Sequence, residues 1–136
     1  LRLLERLEGA DLTGKRIYVV ANMGLYESRQ LRNLFHTLRL WCRRSGAVYS
    51  GGLAIGAGEM FDRIGFLPRD KSPARSILLG AKRLAKAIDD GRAVEDIYAE
   101  PFAFPRASYV GAANLSWPAG AKRNGLTTQD LYAKPE

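Results

Sequence analysis

The stretch that decides the fold reads Lys15-Arg16-Ile17-Tyr18-Val19-Val20-Ala21-Asn22 and passes directly into Met23-Gly24. Its centre is a β-branched and aromatic run without a polar interruption. Such a run is typical of a parallel strand that is covered on both faces. We therefore predict a buried strand over residues 15–22 that ends sharply at the following glycine.

The next segment is predicted to be an amphipathic helix from about Ser28 to Ser45, with Gly46 suited to its left-handed end. Apolar residues recur at helical spacing, and basic residues fall on a different face. The apolar face is Leu31, Leu34, Phe35, Leu38, Trp41 and Cys42. The basic face is Arg29, Arg32, His36, Arg39 and Arg43.

The rest of the chain continues this alternation. Residues 47–56 are a predicted second strand, whose interior glycines indicate a bulge or a close backbone approach. An irregular stretch through residue 70 leads to a second amphipathic helix from Ser72 to Gly91. The predicted buried face of that helix is Ile77, Leu78, Ala81, Leu84, Ala85 and Ile88. A short helix over residues 108–117 and a loose tail after Gly125 follow.

Alternating buried strands and amphipathic helices predict an α/β fold, a parallel sheet with helices on both faces. A chain of 136 residues suffices for one domain with one core. At the start, Leu1, Leu3, Leu4 and Leu7 have helical spacing up to Gly9. We therefore expect the chain to begin inside a helix and an upstream part to be missing.

The composition narrows the class of protein. With 46% apolar and 26% charged residues, the chain is expected to be folded. No apolar run is long enough to span a bilayer, and a single cysteine excludes an intramolecular disulfide, so a cytoplasmic protein is expected. The net charge of +7 is compatible with nucleic acid, an acidic membrane surface or a phosphate-bearing cofactor.

Candidate binding residues lie in two glycine-rich loops. In open parallel sheets, ligands bind beyond the carboxyl ends of the strands. The loops Asn22 to Glu27 and Gly51 to Gly58 are expected at that edge, where their backbone N–H groups can face a flat or anionic ligand. Tyr26 is suited to stacking on a ring. Tight turns without a ligand explain the glycines equally well, so the loops alone leave both interpretations open.

Residues 14–27, Gln30, Trp41, Cys42 and residues 51–59 resemble the second half of flavodoxin-like NAD(P)H-dependent FMN oxidoreductases. The end of the chain is also similar to the closing segment of that family, at Pro105, Arg106, Tyr109, Asn114, Trp117 and residues 124–126. On this resemblance, residues 1–136 are the carboxyl-terminal part of a single flavodoxin-like domain.

The resemblance implies a five-stranded parallel sheet that binds FMN noncovalently at its strand ends. The residues it places beside the isoalloxazine ring are Asn22, Met23, Gly24, Leu25, Tyr26 and Glu27, together with Gly51 and Gly52. Hydride would pass from NAD(P)H through the flavin to a quinone, a flavin or a similar acceptor, in a homodimer. Strands one to three of the family, with their phosphate loop, have no counterpart here, so the phosphate side of the site must come from elsewhere. No general acid or base is assigned, and no metal-ligand spacing is present.

Other interpretations stay open. An electron carrier or a flavin-free binding module would use the same fold; the basic charge counts against the carrier, whereas the missing phosphate loop favours the flavin-free module. A nucleic-acid partner is motivated by charge alone and is not expected, because no reader module accompanies it. His36 is expected on the surface and Cys42 in the core. Glu27 either favours the helix N-terminus or contacts the ring or a partner subunit.

Overall fold

The computed structural model describes Leu4, Leu7 and residues 9–63 and 73–133. It shows an α/β fold with a three-stranded parallel sheet in the order β1-β2-β3. The strands are β1 (Arg16–Asn22), β2 (Val48–Ile55) and β3 (Ile97–Ala99). Of the predicted opening helix, Leu4 and Leu7 are helical, and Leu1 and Leu3 lie outside the described residues. The chain divides into two compact units, Leu1–Phe102 and Ala103–Glu136.

The first strand lies where the sequence predicts it, but it is not buried on both faces: it is an edge strand whose residues are half-buried or exposed. The first long helix agrees with the sequence pattern. A 3-10 turn at Ser28–Leu31 leads into helix α1 (Arg32–Arg44), and Gly46 follows with a φ of +74°. Phe35 and Cys42 are buried on one face, while the five basic residues of the other face are exposed. The predicted separation of apolar and basic faces is confirmed.

Strand β2 contains the bulge that its glycines indicated. Tyr49 pairs with Ile17 and Gly51 pairs with Tyr18, so Ser50 is an extra residue between them. Because the strand continues to Ile55, residues 51–55 belong to the sheet, and the predicted second loop shrinks to residues 56 and 57. Helix α2 (Gly58–Arg63) occupies part of the stretch predicted to be irregular; residues 64–70 lie outside the described ranges.

Strand β3 was not predicted. It has three residues and pairs with the end of β2, Ile97 opposite Leu53 and Ala99 opposite Ile55, which makes β2 the central strand. A segment this short shows no hydrophobic periodicity, so only its pairing with β2 identifies it as a strand. The other edge belongs to β1, where the Val20 side chain is 63% exposed.

Helix α3 (Arg75–Asp89) exists as predicted, and Leu84 and Ile77 of its predicted face pack in the core, but the rest of the buried face is shifted. Its buried residues are Gly80, Leu84 and Ala87, whereas the predicted core residues Ala81, Ala85 and Ile88 are exposed. The reason is Gly80, which allows close approach: a Cβ there would lie 2.7 Å from the Leu53 Cδ1 and 3.2 Å from the Ile97 Cγ2. Ser72, the predicted N-cap, lies outside the described residues, and Ala74 takes that position.

Helices cover both faces of the sheet. A Cβ at Gly52 would point into the Phe35 ring of α1, at 2.8 Å. The next residue, Leu53, packs instead on α3, in a cluster with Leu84 and Ala99. Since successive residues of a strand point to opposite faces, α1 and α3 lie on opposite sides of β2.

The second unit consists of helix α4 (Arg106–Arg123) and a 3-10 turn at Gln129–Tyr132. The helix is longer than the predicted residues 108–117 and continues through Pro118, although proline removes one helical hydrogen bond. Gly125, with a φ of +74°, follows its end. Within residues 9–63 and 73–133, the structure contains no helix that is both long and apolar enough to cross a bilayer.

Candidate functional site at the carboxyl edge of the sheet

The loop that follows β1 is tied to the connection that follows β2. The Met23 N–H donates to the Ile55 carbonyl at 3.1 Å, and the Met23 carbonyl accepts from the Gly58 N–H at 2.8 Å. A third bond runs from the Ala57 N–H to the Leu25 carbonyl at 2.7 Å. The two predicted loops therefore meet at one edge of the sheet, and residues 23–25 are held in a fixed position.

Glycine is required on the β2 side of this junction. A Cβ at Gly56 would overlap the Tyr26 carbonyl oxygen and lie 2.9 Å from the Ser28 nitrogen. A Cβ at Gly58 would overlap the side-chain amide of Asn22. Between them, the fully buried Ala57 has a φ of +55°, in the left-handed region that side chains rarely adopt. The glycines of this connection are thus explained by the contact between the two loops.

The predicted ligand residues of the first loop differ in exposure. Asn22, Gly24 and Leu25 are exposed, with the Leu25 side chain 54% accessible, and the other three are half-buried, namely Met23, Tyr26 and Glu27. The Glu27 carboxylate accepts a long hydrogen bond from the Gln30 side chain at 3.5 Å. The loop therefore presents the apolar Leu25 side chain outward, beside the exposed Asn22, whose side-chain amide contacts Gly58.

Gly51 and Gly52, the other two predicted ligand residues, lie inside β2 and are buried. A Cβ at Gly51, whose φ is +131°, would lie 2.6 Å from the Val94 Cγ1. A Cβ at Gly52 would lie 2.8 Å from both the Phe35 ring and the Tyr49 hydroxyl oxygen. Atoms of the chain itself fill the space beside both glycines.

Sequence reasoning missed Glu100, which follows β3 and joins the same edge. The buried Ser28 hydroxyl donates to the Glu100 carboxylate at 3.2 Å, and the Ser76 hydroxyl donates to the Glu100 carbonyl. The Gly56 N–H donates to the neighbouring Ala99 carbonyl at 3.0 Å. Because β3 was not predicted, no sequence signal could place Glu100 here.

These bonds limit the chemistry of the edge. The N–H groups of Met23, Gly56, Ala57 and Gly58 all donate within the chain, so they form no cradle for an anion. In the part of the chain that the structure describes, no group of three or more His, Cys, Asp or Glu side chains is arranged to hold a metal ion. The edge is a hydrogen-bonded platform that can position a ligand.

Cys42 has no role at this edge. Its side chain is buried on the sheet-facing side of α1. Burial raises the pKa of the Cys42 thiol, which keeps it in the uncharged and poorly nucleophilic form. The expectation of a packed, unreactive cysteine agrees with this environment.

Comparison with known proteins leaves the family open. No protein-family model, curated protein or solved structure matches the chain. The three-stranded parallel α/β fold is thus known from the structure alone, and the function has to be inferred from the geometry of the carboxyl edge.

Proposed function

We propose that this chain forms the ring side of a flavin site in an FMN-dependent NAD(P)H oxidoreductase. The observation that carries the proposal is the loop of residues 22–27, fixed at the carboxyl edge by its bonds to Ile55, Ala57 and Gly58. That edge is where open parallel sheets bind ligands. A loop held by three backbone hydrogen bonds is suited to hold a flat ring in a single orientation.

The residues of the edge fit the flavin ring and not its phosphate. Leu25 offers exposed apolar surface, and Asn22 offers a carboxamide for the polar rim of an isoalloxazine. The N–H groups that would hold a phosphate are used between the two loops. The phosphate is therefore assigned to residues outside this junction, and Gly51 and Gly52 are left out of the contact surface because Val94 and Phe35 fill the space beside them.

A bound FMN would supply the redox chemistry, taking a hydride from the nicotinamide and passing electrons to a quinone, a flavin or a similar acceptor. The residues of this chain orient the ring. Leu25 and the half-buried Tyr26 exclude water from one side of it. The basic charge of +7 favours approach of the anionic nicotinamide nucleotide.

A second copy of the chain is the proposed partner subunit. Among the described strands, β1 pairs with β2 alone, so its other edge presents backbone groups to which a further strand can bond. The 63% exposure of Val20 on this strand is consistent with a surface that is covered in an assembly. The strands that the family resemblance adds would occupy the same edge, so a second copy can pair there only where those strands are absent.

A flavin-free binding module on the same fold is the alternative function. It is favoured by one specific observation, the use of the Met23, Gly56, Ala57 and Gly58 N–H groups within the chain. The platform would then serve to dock another molecule without redox chemistry. Flavin titration separates the two functions directly.

The test is titration of the chain with FMN, followed by quenching of the flavin fluorescence, in the wild type and two matched variants. Leu25→Glu places a carboxylate where the ring is proposed to rest. Leu79→Glu makes the same change on α3, at a leucine with nearly equal exposure, 57% against 54%. We expect Leu25→Glu to weaken FMN binding about tenfold or more, because a buried charge opposes ring contact, and Leu79→Glu to leave it within about twofold.

Three results would contradict the proposal. The wild-type chain could leave FMN fluorescence unchanged at every concentration, which would support the flavin-free module. Both variants could weaken FMN binding equally, which would mean that the ring binds elsewhere. Oxidation of NAD(P)H by the FMN-loaded chain is the activity expected of the enzyme, and binding of FMN with no such oxidation would reduce the function to that of a carrier.

A further inference from the structure

A cavity of about 470 Å³ lies at the opposite end of the sheet from the candidate flavin loop. It is formed where the second half of α1 meets the start of β2, and we call it the amino-edge cavity. Its walls include His36, Arg39, Leu40, Arg43, Val48 and Tyr49. Strand β2 separates it from the carboxyl edge by seven residue steps, or about 23 Å.

One arginine of the amino-edge cavity is held in a defined position. The Arg39 guanidinium forms a 2.5 Å ion pair with the nearly buried Asp96 and stacks 4.6 Å from the Tyr49 ring centroid. The Tyr49 hydroxyl donates to the other Asp96 oxygen at 2.8 Å. Burial, together with this hydrogen bond, raises the pKa of Tyr49, so the hydroxyl remains a donor. The guanidinium is therefore oriented before any ligand arrives, while a large part of it stays exposed.

The positive charge of the amino-edge cavity exceeds the negative charge. Asp96 balances Arg39, and the salt bridges among the described residues involve Arg39, Lys86 and Arg92 but not Arg43. Arg43 lies one helical turn after Arg39, so the two guanidinium groups can reach the same ligand from one side of α1. His36 lies one turn before Arg39 and adds ring nitrogens to the same wall.

Apolar surface lies beside these cations. Leu40 is 45% exposed and Val48 is 42% exposed, and both line the cavity. Aliphatic surface next to two arginines favours a ligand that has an organic body as well as a charge. A free inorganic anion would leave the leucine and the valine in water.

We propose that the amino-edge cavity binds an organic phosphate monoester. The phosphate lies between Arg39 and Arg43, and the organic group rests on Leu40 and Val48. A phosphate monoester offers three terminal oxygens and up to two negative charges, against two oxygens and one charge for a carboxylate, so it can accept from both guanidinium groups at once. The volume falls within the range of small-molecule sites, roughly 300–1,000 Å³.

The proposal is tested by isothermal titration calorimetry of the full chain with 1-naphthyl phosphate, 1-naphthol and inorganic phosphate. Saturable binding of 1-naphthyl phosphate is expected, at least about tenfold tighter than the binding of 1-naphthol or of inorganic phosphate, because the ring and the phosphate group both contribute. Arg43→Ala is expected to weaken it about tenfold, as the loss of a charge-assisted hydrogen bond requires. Arg83→Ala removes an exposed arginine of α3 on the other face of the sheet and should change it less than twofold.

Leu40→Ser provides a second variant, which should weaken the binding of 1-naphthyl phosphate and leave the binding of inorganic phosphate unchanged. Equal binding of inorganic phosphate and 1-naphthyl phosphate would overturn the proposal, as would equal losses in Arg43→Ala and Arg83→Ala. Absence of saturable binding would overturn it as well. Leu25→Glu is the last variant to be measured. If it abolishes binding of 1-naphthyl phosphate while Arg43→Ala does not, the ligand binds at the carboxyl edge and the amino-edge cavity is not its site.

Discussion

Replacing Gly56 with alanine would place a methyl group between the two loops of the carboxyl edge. The added Cβ would overlap the Tyr26 carbonyl oxygen and lie 2.9 Å from the Ser28 nitrogen. Both of these atoms belong to the backbone, so no change of side-chain rotamer can relieve the overlap. The loop of residues 22–27 would have to move away from β2.

The size of the effect follows from three contributions. Overpacking of a well-packed site destabilises by about 1–3 kcal/mol. Moving the loop weakens at least the Ala57 to Leu25 hydrogen bond, and a hydrogen bond contributes about 1 kcal/mol. The lower flexibility of alanine in the unfolded chain returns about 0.4–1 kcal/mol. The expected net loss in the free energy of unfolding is about 2 kcal/mol.

Urea denaturation of the wild type, Gly56→Ala and Gly24→Ala measures this loss. Gly24 is the matched control because it lies in the same junction, lacks a positive φ, and would place its Cβ no closer than 3.9 Å to Glu59. Gly24→Ala is therefore expected to be neutral or slightly stabilising. Equal midpoints and slopes for all three proteins would refute the loop contact on which the candidate site depends.

Other predictions concern the core and the amino edge. Phe35→Ala is expected to lower the free energy of unfolding by about 3–5 kcal/mol in urea titrations, because the ring is fully buried; a loss below about 1 kcal/mol would contradict the packing. Burial raises the pKa of Tyr49. The protonated hydroxyl therefore contributes to the free energy of unfolding below the unfolded-state pKa near 10, and this contribution declines as the pH rises above that value. Above about pH 10 the stability of the wild type should fall toward that of Tyr49→Phe, and a stability difference that does not change with pH would contradict this prediction. Cys42 should react with Ellman's reagent only after denaturant is added, and rapid reaction in the native protein would show that the thiol is accessible.

The secondary structure of segments with a clear hydrophobic pattern was predictable from the sequence, and that of the shortest strand was not. The uninterrupted run at Ile17 to Val20 and the 3.6-residue pattern of α1 each carry enough residues to define an element. Strand β3 has three residues, and its backbone bonds to β2 define it. On α3, the apolar pattern was compatible with more than one face, and Gly80 selected the face through close approach to Leu53.

The candidate site was predictable in position and less so in its residues. Strand ends of a parallel sheet meet at one edge, which is why the loop of residues 22–27 and the connection after β2 were expected together. The reason for glycine at positions 51 and 56 depends on neighbours elsewhere in the chain, because Gly51 lies against Val94 and Gly56 lies against Tyr26. The sequence shows that these two positions are glycine without indicating which neighbour fills the space beside them.

The most direct test of the central claim compares lumiflavin, which is the ring alone, with FMN in fluorescence titrations of the chain. The carboxyl edge is proposed to contact the ring, and the N–H groups at its loop junction are used within the chain. We therefore expect lumiflavin and FMN to bind with dissociation constants within about threefold of each other, and Leu25→Glu to weaken both. Binding of FMN that is more than about thirtyfold tighter than that of lumiflavin, or binding of neither, would contradict a site that holds the ring and not the phosphate.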